Sequence, residues 1–312
     1  MMGKTTGRVI SLDRVYPLLK TAEGETRAQH SIDFVKNTDI RAVVGDIVEI
    51  VCPFGQDIPL IIAIQPRGHT LVRRSLVESK HEGAGKHNEQ ILATNIDIVL
   101  VMTALSNRSI DLPYLERQLV MAHESGADVA IVLSKADQAK HLSDDVAAVR
   151  EIAFDSPIIV ESAVTGEGLQ QVAELISNGR TGVLLGRSGV GKSTLINKLL
   201  GAPVLETASV RGKDRAGRHT TVARRMVFFE DLSALGSVII DTPGLRSIGL
   251  YAAYTGLAAA FPDIVGHAAS CRYRNCSHTG EPGCAAQEAV AQGILPQRRL
   301  ASYVDIAAEV TA

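Results

Sequence analysis

The feature that most constrains this chain is a glycine-rich octapeptide, Gly186-Arg187-Ser188-Gly189-Val190-Gly191-Lys192-Ser193. It follows the apolar run Val183-Leu184-Leu185 and precedes a stretch with helical apolar spacing over 192–200. A strand, a tight loop and a helix in that order form a phosphate cradle. The glycines let backbone N–H groups curl around phosphate oxygens without side-chain clash. The helix start adds unpaired N–H groups and a partial positive charge. Lys192 can reach the outer phosphates, and the Ser193 hydroxyl can hold Mg²⁺. Residues 186–194, Thr194 included, are therefore assigned to nucleotide.

Three further motifs extend the site. Asp241-Thr242-Pro243-Gly244 closes the apolar run 238–240. An aspartate at a strand's carboxyl end is placed to hold Mg²⁺ through water, and the Gly244 N–H can meet a γ-phosphate. Ser134-Lys135-Ala136-Asp137 follows the apolar run 129–133. The Asp137 carboxylate can accept from guanine N1–H and N2–H. Adenine carries an acceptor at N1 and no N2 amine, so Asp137 selects guanine. The Lys135 stem can lie along the purine face. The usual form of this motif is Asn-Lys-x-Asp; Ser134 offers one hydroxyl in place of a carboxamide, at the expense of a contact either to the base or to the phosphate loop. Glu161-Ser162-Ala163 matches the last guanine-side loop, in which Ser162 and Ala163 present backbone N–H groups to the base oxygen. The order is informative. In Ras-like GTPases the phosphate loop comes first and the guanine motifs last; here the guanine motifs precede it. The same parallel sheet results if the old termini are joined and the chain is opened elsewhere, because chain ends often lie close together at the surface.

Around these motifs the chain divides into three. Residues 7–72 read as short strands with turns, which predicts a small sandwich or barrel, OB-like as first choice. A polar stretch over 77–90 reads as a linker. From residue 91, strands alternate with helices, indicating a mostly parallel sheet covered on both faces. Within it a helix over 111–125 has Asp111 as cap, Pro113 in its first turn, Gly126 at its end and a stripe of Leu112, Leu115, Leu119 and Ala122. Further helices are expected over 144–154, 169–177, 288–293 and 298–309. The expected domains are 1–78 (OB-like β-domain), 79–258 (permuted GTPase domain) and 259–312 (zinc-binding domain).

Three of the four cysteines crowd the C-terminal part. Cys271, Cys276, His278 and Cys284 supply three thiolates and one imidazole, the ligand set of a closed structural zinc site. With a net charge of −2, any nucleic-acid contact must use local patches. Two are proposed by the sequence: Arg211, Lys213, Arg215, Arg218, Arg224 and Arg225, then Arg272, Arg274, Arg298 and Arg299. No eighteen-residue apolar run and no apolar signal core are seen, so a cytoplasmic protein without membrane contact is expected.

Taken together these residues resemble the bacterial circularly permuted GTPases that act on the small ribosomal subunit, the RsgA type. The likeness runs through Val44-Gly45-Asp46, Pro66-Arg67, Asn95-Ile96-Asp97, the permuted motifs, Gly217-Arg218-His219-Thr220-Thr221 and the Cys/His cluster. It departs at Ser134 and at Gly68-His69. The resemblance implies a GTP hydrolase, monomeric, that binds the small subunit and its rRNA during late assembly and leaves after hydrolysis. It implies one structural zinc as well. Thr220 or Thr221 is the second hydroxyl ligand of Mg²⁺, and spacing does not choose between them. Leu245 stands where Ras-like enzymes place a water-orienting Gln. His219 is the nearest polar replacement, and the family pattern supports it; Lys192 and Asp241 complete the catalytic set. Two rivals stay open: an ATP-dependent enzyme, which Asp137 argues against, and an RNA-binding assembly factor that holds GTP without useful turnover.

Overall fold

The structure, a computed structural model, describes residues 4–12, 16–74, 89–106, 108–205, 224–229, 236–242, 248–250 and 252–311. The N-terminal part forms β1 (Lys4–Ser11), β2 (Leu18–Thr21), β3 (Gly24–Arg27), β4 (Gln29–His30), a short helix α1 (Ile32–Asn37), β5 (Ile47–Val51) and β6 (Leu60–Ile64). These strands pair in the path β3-β2-β1-β5-β6-β4 around a small core of Val9, Leu19, Ala28, Ala42, Val48, Ile50 and Ile61. Among the described residues no pair joins the two ends, so a curled β-layer is what the structure displays, without a closed barrel.

A hairpin follows, β7 (Thr70–Arg74) with β8 (Glu89–Thr94), forming a separate two-stranded sheet. The sequence reading placed 77–90 in a linker; Glu89 and Gln90 instead belong to a strand opposite Arg74 and Arg73. The hairpin packs back on the first part. Gly45, at φ 103°, lies so close to Thr94 that a Cβ there would sit 2.0 Å from its carbonyl oxygen. Asp46 takes a two-pronged bond from Arg67, and the Asn95 amide donates to the Gly45 carbonyl.

The remainder is an α/β layer. Its elements are β9 (Ile98–Ala104), α2 (Leu112–Glu124), β10 (Asp128–Ser134), α3 (Leu142–Ala153), β11 (Ile158–Val160), α4 (Leu169–Leu175), β12 (Thr181–Leu185), α5 (Lys192–Leu200), β13 (Arg225–Phe229) and β14 (Ser237–Asp241). In space the strands run β11-β10-β9-β12-β14-β13, all parallel except β13. The phosphate-loop strand β12 thus stands in the middle of the sheet although it comes late in the chain. Apolar residues such as Val99, Val101, Ile131 and Leu133 face one helical layer, and Ile98, Leu100, Ala130 and Val132 face the other. That is the period-two pattern of a strand buried on both sides. The sheet continues from β13 into β1 through one register pair, Ser11 with Arg225.

Helix α2 starts as the sequence predicts: the Asp111 side chain accepts from the Tyr114 N–H, and the chain leaves at Gly126 with φ 77°. Four C-terminal helices follow, α6 (Tyr254–Ala260), α7 (Pro262–Ala268), α8 (Ala285–Ala291) and α9 (Gln297–Thr311). Their packing on α2 is tight. A Cβ at Gly256 would lie 2.1 Å from the Val120 carbonyl, and the Gly256 N–H donates to Glu124. At the centre Arg299, 1% exposed, bonds Glu116 on α2 and both carboxylate oxygens of Asp263 on α7. This changes the reading of the second basic group: Arg298 and Arg299 both pair with Glu116, while Arg272 and Arg274 stay exposed. Arg224 also turns inward, to the Ile91 carbonyl. No helix among the described residues is long and apolar enough to cross a membrane.

Candidate functional site

Parallel strands end at one edge of a sheet, and ligands in open α/β sheets bind outside those carboxyl ends. At that edge β10 ends in Ser134, β11 is followed by Glu161 and Ser162, β12 leads into Gly186, and β14 ends in Asp241. The fold therefore gathers motifs that are spread over more than a hundred residues of sequence.

The phosphate loop is shaped by its glycines. A Cβ on Gly186 would come within 2.7 Å of the Met102 carbonyl oxygen. Gly189 and Gly191 adopt φ of 84° and 106°, which favour glycine. Inside the loop the Lys192 amine donates to the carbonyls of Gly186 (2.8 Å) and Arg187 (3.1 Å). Lys192 is only 7% exposed, and burial pulls its pKa down to about 8 against the opposing pull of Asp241. An ammonium held in so little water gains strongly from an incoming polyphosphate. Ser193 is half-buried at the first turn of α5, and Thr194 beside it is exposed. Asp241 is half-buried opposite Leu184, and Thr242 donates to the Leu184 carbonyl at 2.5 Å. Arg187 leaves the loop on its other side, stacking on Tyr114 at 3.6 Å and pairing with Asp111. Ser188 and Val190 complete the loop, with Val190 buried.

The base loops are built mostly by backbone. Lys135 takes a left-handed φ of 60° and opens a 3-10 turn, Ala136–Gln138. The Ala136 N–H donates to the Glu161 carbonyl, which ties this turn to the loop after β11. Gly168 is required behind that loop, because a Cβ there would lie 2.2 Å from the Val160 carbonyl oxygen. The Ser162 hydroxyl donates to Asp137 at 2.6 Å and so orients an exposed carboxylate. Ala163 follows, half-buried. Ser134 is 1% exposed and its hydroxyl donates to the Val190 carbonyl at 2.6 Å. A hydroxyl has one hydrogen. Of its two acceptors the Val190 carbonyl at 2.6 Å is nearer than the Thr103 carbonyl at 3.2 Å, so of the two contacts left open by the sequence it is the loop contact that Ser134 makes here.

One residue of the last guanine-side loop has a side chain to which the sequence assigns no role. Glu161 is 2% exposed, its Oε1 has no partner among the described residues, and burial followed by the Asp137 charge pushes its pKa up to about 7. Nothing in local sequence distinguishes it from a solvated glutamate. Thr220, Thr221, His219 and Gly244 lie outside the described residues, as do Arg211, Lys213, Arg215 and Arg218.

The Cys/His cluster forms a second site. The ligand atoms of Cys271, Cys276, His278 and Cys284 all lie within 4.8 Å of one another. Cys271 Sγ is 3.9 Å from Cys284 Sγ and 3.7 Å from His278 Nδ1, and His278 Nδ1 is 3.3 Å from Cys284 Sγ. Tetrahedral zinc bonds require edges of about 3.8 Å for S···S and about 3.6 Å for S···N. The donor set therefore fits zinc in both chemistry and spacing. Burial lowers the His278 pKa, favouring the neutral imidazole that ligates. Glu281 holds the loop by accepting first from the Ser277 hydroxyl and then from the N–H groups of Ser277, Thr279 and Gly280, which keeps its carboxyl well below the usual range.

Comparisons with known proteins agree with this geometry. A family model described as RsgA GTPase matches residues 64–251. A Streptomyces avermitilis protein called small ribosomal subunit biogenesis GTPase RsgA is 42% identical over 306 residues, covering 96% of this chain and 78% of that one. A protein of the same name from Methanosarcina acetivorans is 39% identical over 261 residues, 84% of this chain and 68% of that one. Among solved structures, YjeQ from Thermotoga maritima superposes with a TM-score of 0.69 at 22% identity, covering 99% of both chains. YloQ, described as a circularly permuted GTPase, gives 0.63 at 20%, covering 99% of this chain and 96% of that one. These two bear on fold, and they share it over nearly the full length. With its phosphate loop, base loops and strand order in permuted sequence, and a family model spanning more than half its length, the chain belongs to the RsgA GTPase family.

Proposed function

We propose that this protein hydrolyses GTP to GDP and phosphate with Mg²⁺ and assists late maturation of the small ribosomal subunit. One observation carries the chemistry: Lys192, Asp241 and the Asp137–Ser162 pair converge at one edge of a single sheet, in a member of a GTPase family. Phosphoryl transfer asks mainly for positioning and for charge placed where it develops. Lys192 supplies a desolvated cation at the outer phosphates. Ser193 and Asp241 would hold Mg²⁺, which neutralises charge on the transferring group. Asp137, oriented by Ser162, accepts from the guanine N–H groups, and Ala163 meets the base oxygen. The water-orienting role falls to His219, and the second hydroxyl ligand to Thr220 or Thr221. With Leu245 at the usual Gln position, unassisted turnover is slow and speeds up when a partner orders the switch.

The ribosomal reading rests on the relatives, which are named for small-subunit biogenesis. It includes rRNA contact through exposed basic residues such as Arg225, Arg272 and Arg274, a monomeric cytoplasmic protein, one zinc at Cys271, Cys276, His278 and Cys284, and domains at 1–78, 79–258 and 259–312 with an OB-like first domain. The test is single-turnover hydrolysis with and without purified small subunits, alongside competition of ATP against GTP. Stimulation by subunits with GTP preferred supports the reading. Preference for ATP, or turnover unchanged by subunits, overturns it.

A further inference from the structure

Glu161 is a buried carboxyl that the proposed chemistry does not use. It sits between two residues of the base site by position and by bonding. Its carbonyl accepts from the Ala136 N–H, which anchors the turn carrying Asp137, and the next residue, Ser162, donates its hydroxyl to Asp137. The side chain is 2% exposed and its Oε1 meets no donor among the described residues. A buried acceptor without a donor is costly as a carboxylate and much less so as a neutral acid. Beside it, Asp137 must stay ionised, because only a carboxylate accepts both guanine N–H groups. Two adjacent carboxyls, one of them buried, do not both ionise cheaply, and the proton goes to the buried one. Of the residues around Glu161, Asp137 is the titratable group that acts on it. Lys135 lies on the same 3-10 turn, and Glu167, whose carbonyl accepts from the Ser162 N–H, leads into α4, where Gly168 packs against the Glu161 backbone. β10 brings no other charge near this end.

We infer that Glu161 is a positioning residue for guanine recognition: protonated, it leaves Asp137 as the single anion of the base loop, so that guanine binding and proton uptake at Glu161 are linked. This deepens the GTPase reading and rests on it. A base seated on Asp137 excludes the water that screens the two carboxyls from each other. The bound state therefore holds the Glu161 proton more firmly than the free state does, and by linkage affinity falls once the free carboxyl ionises. The unbound group titrates near pH 7, which puts this fall in an accessible range.

The experiment is GDP affinity from pH 6 to 8.5 at fixed salt for wild type, Glu161→Gln and Glu161→Thr. If the base raises the carboxyl by one unit, wild-type affinity drops about tenfold across that range. Both uncharged variants should match wild type at pH 6 and be flatter up to pH 8. Lys192 adds its own decline above about pH 8, equally in all three proteins. Calorimetry of the wild type at pH 7 in buffers of different ionisation enthalpy should show partial proton uptake, at a pH where Lys192 is already mostly charged. Equal slopes in wild type and variants, or no proton exchange in the wild type, overturn the inference while leaving the GTPase reading intact. Absence of GDP binding at every pH would remove the base site itself.

Discussion

Lys192 is the place where stability and activity should separate. Its amine is charged below about pH 8, yet it is 7% exposed, and its pKa is displaced from 10.5 by burial. A displacement of that size corresponds to roughly 3 kcal/mol against the folded state at neutral pH. The two bonds to Gly186 and Arg187 return about 1 kcal/mol each. Replacing the side chain by an apolar one of similar length, Lys192→Met, removes both terms. The nucleotide-free variant should therefore gain about 1 kcal/mol at pH 7, on the order of 2 °C in Tm. Its hydrolysis should fall at least about a hundredfold, since a charge contact to the transferring group is lost. The pH dependence gives an independent check. Because the folded pKa is lowered, the penalty is complete below about pH 8, shrinks as pH rises from there to 10.5, and is absent above. Wild-type stability should climb through that window relative to Lys192→Met, and the two curves should cross within it, because the bonds to Gly186 and Arg187 remain once the penalty is gone. Urea denaturation of both proteins without nucleotide at pH 7, 8, 9 and 10 measures this. A variant clearly less stable than wild type at pH 7 would refute the reasoning, as would near-normal turnover.

Asp137→Asn should shift preference from guanine toward xanthine nucleotides, because an amide reverses one donor–acceptor relation; unchanged GTP affinity with no gain for xanthosine triphosphate would contradict the base assignment. Purified protein should carry one zinc per chain by metal analysis, and Cys276→Ala combined with Cys284→Ala should lose it; retained stoichiometric zinc would exclude the Cys271–Cys276–His278–Cys284 site. Glu116→Ala should destabilise the protein by about 3 kcal/mol, somewhat less than for a fully orphaned ion because Arg299 keeps Asp263; a loss under 1 kcal/mol in chemical denaturation would show that the pair contributes little. Glu309→Gln should narrow the difference in small-subunit affinity between a non-hydrolysable GTP analogue and GDP, measured at fixed salt; an unchanged ratio would remove Glu309 from the coupling.

Where local pattern and tertiary demand coincide, the sequence was readable to the residue. Strand β12 and helix α5 fall where the apolar run and the glycines place them, because glycine punctuation leaves no freedom about where the strand stops. The hairpin of β7 and β8 was not readable. Its paired residues Arg73, Arg74, Glu89 and Gln90 are charged or polar and show no apolar alternation. Helix α1 has six residues and buries none of them, so it has no stripe to detect. Helix α6 hides its contact in Gly256, which carries no hydropathy signal but alone permits the approach to α2. In the site, the motif residues announce themselves through chemistry at fixed spacing. The burial of Glu161 and the spending of Arg299 on Glu116 depend on partners brought by the fold. A sequence shows that Arg299 is basic; it does not show that its charge is already answered from 183 residues away.

The permutation has a mechanical consequence that the packing makes specific. It places the motif that starts at Asp241, proposed above as the γ-phosphate sensor, ahead of the C-terminal helices, with no guanine-side strands in between. The chain beyond that motif is then held at each of three consecutive residues by a different element. Ile248 gives its carbonyl to Arg117 on α2, Gly249 gives its carbonyl to the Arg74 N–H on the β7–β8 hairpin, and the Leu250 N–H donates to Glu309 on α9. Arg117 and Glu309 are themselves paired, so α2, this segment and α9 form one ring of polar contacts. Loops that follow a γ-phosphate and its Mg²⁺ supply two discrete arrangements, ordered with the triphosphate and released after hydrolysis. If nucleotide state shifts the loop after Asp241, the shift would meet residues 248–250 a few peptide units on, where the bonds to α2 and α9 would be kept or broken. The coupling free energy cannot exceed what those bonds are worth, about 1–3 kcal/mol when charged groups take part, or a factor of roughly five to a hundred in affinity. By reciprocity, a small subunit that grips the C-terminal part in its GTP-state orientation must favour GTP by the same factor. If the coupling holds, release after hydrolysis would need no separate signal, because loss of the γ-phosphate would itself be the change in affinity.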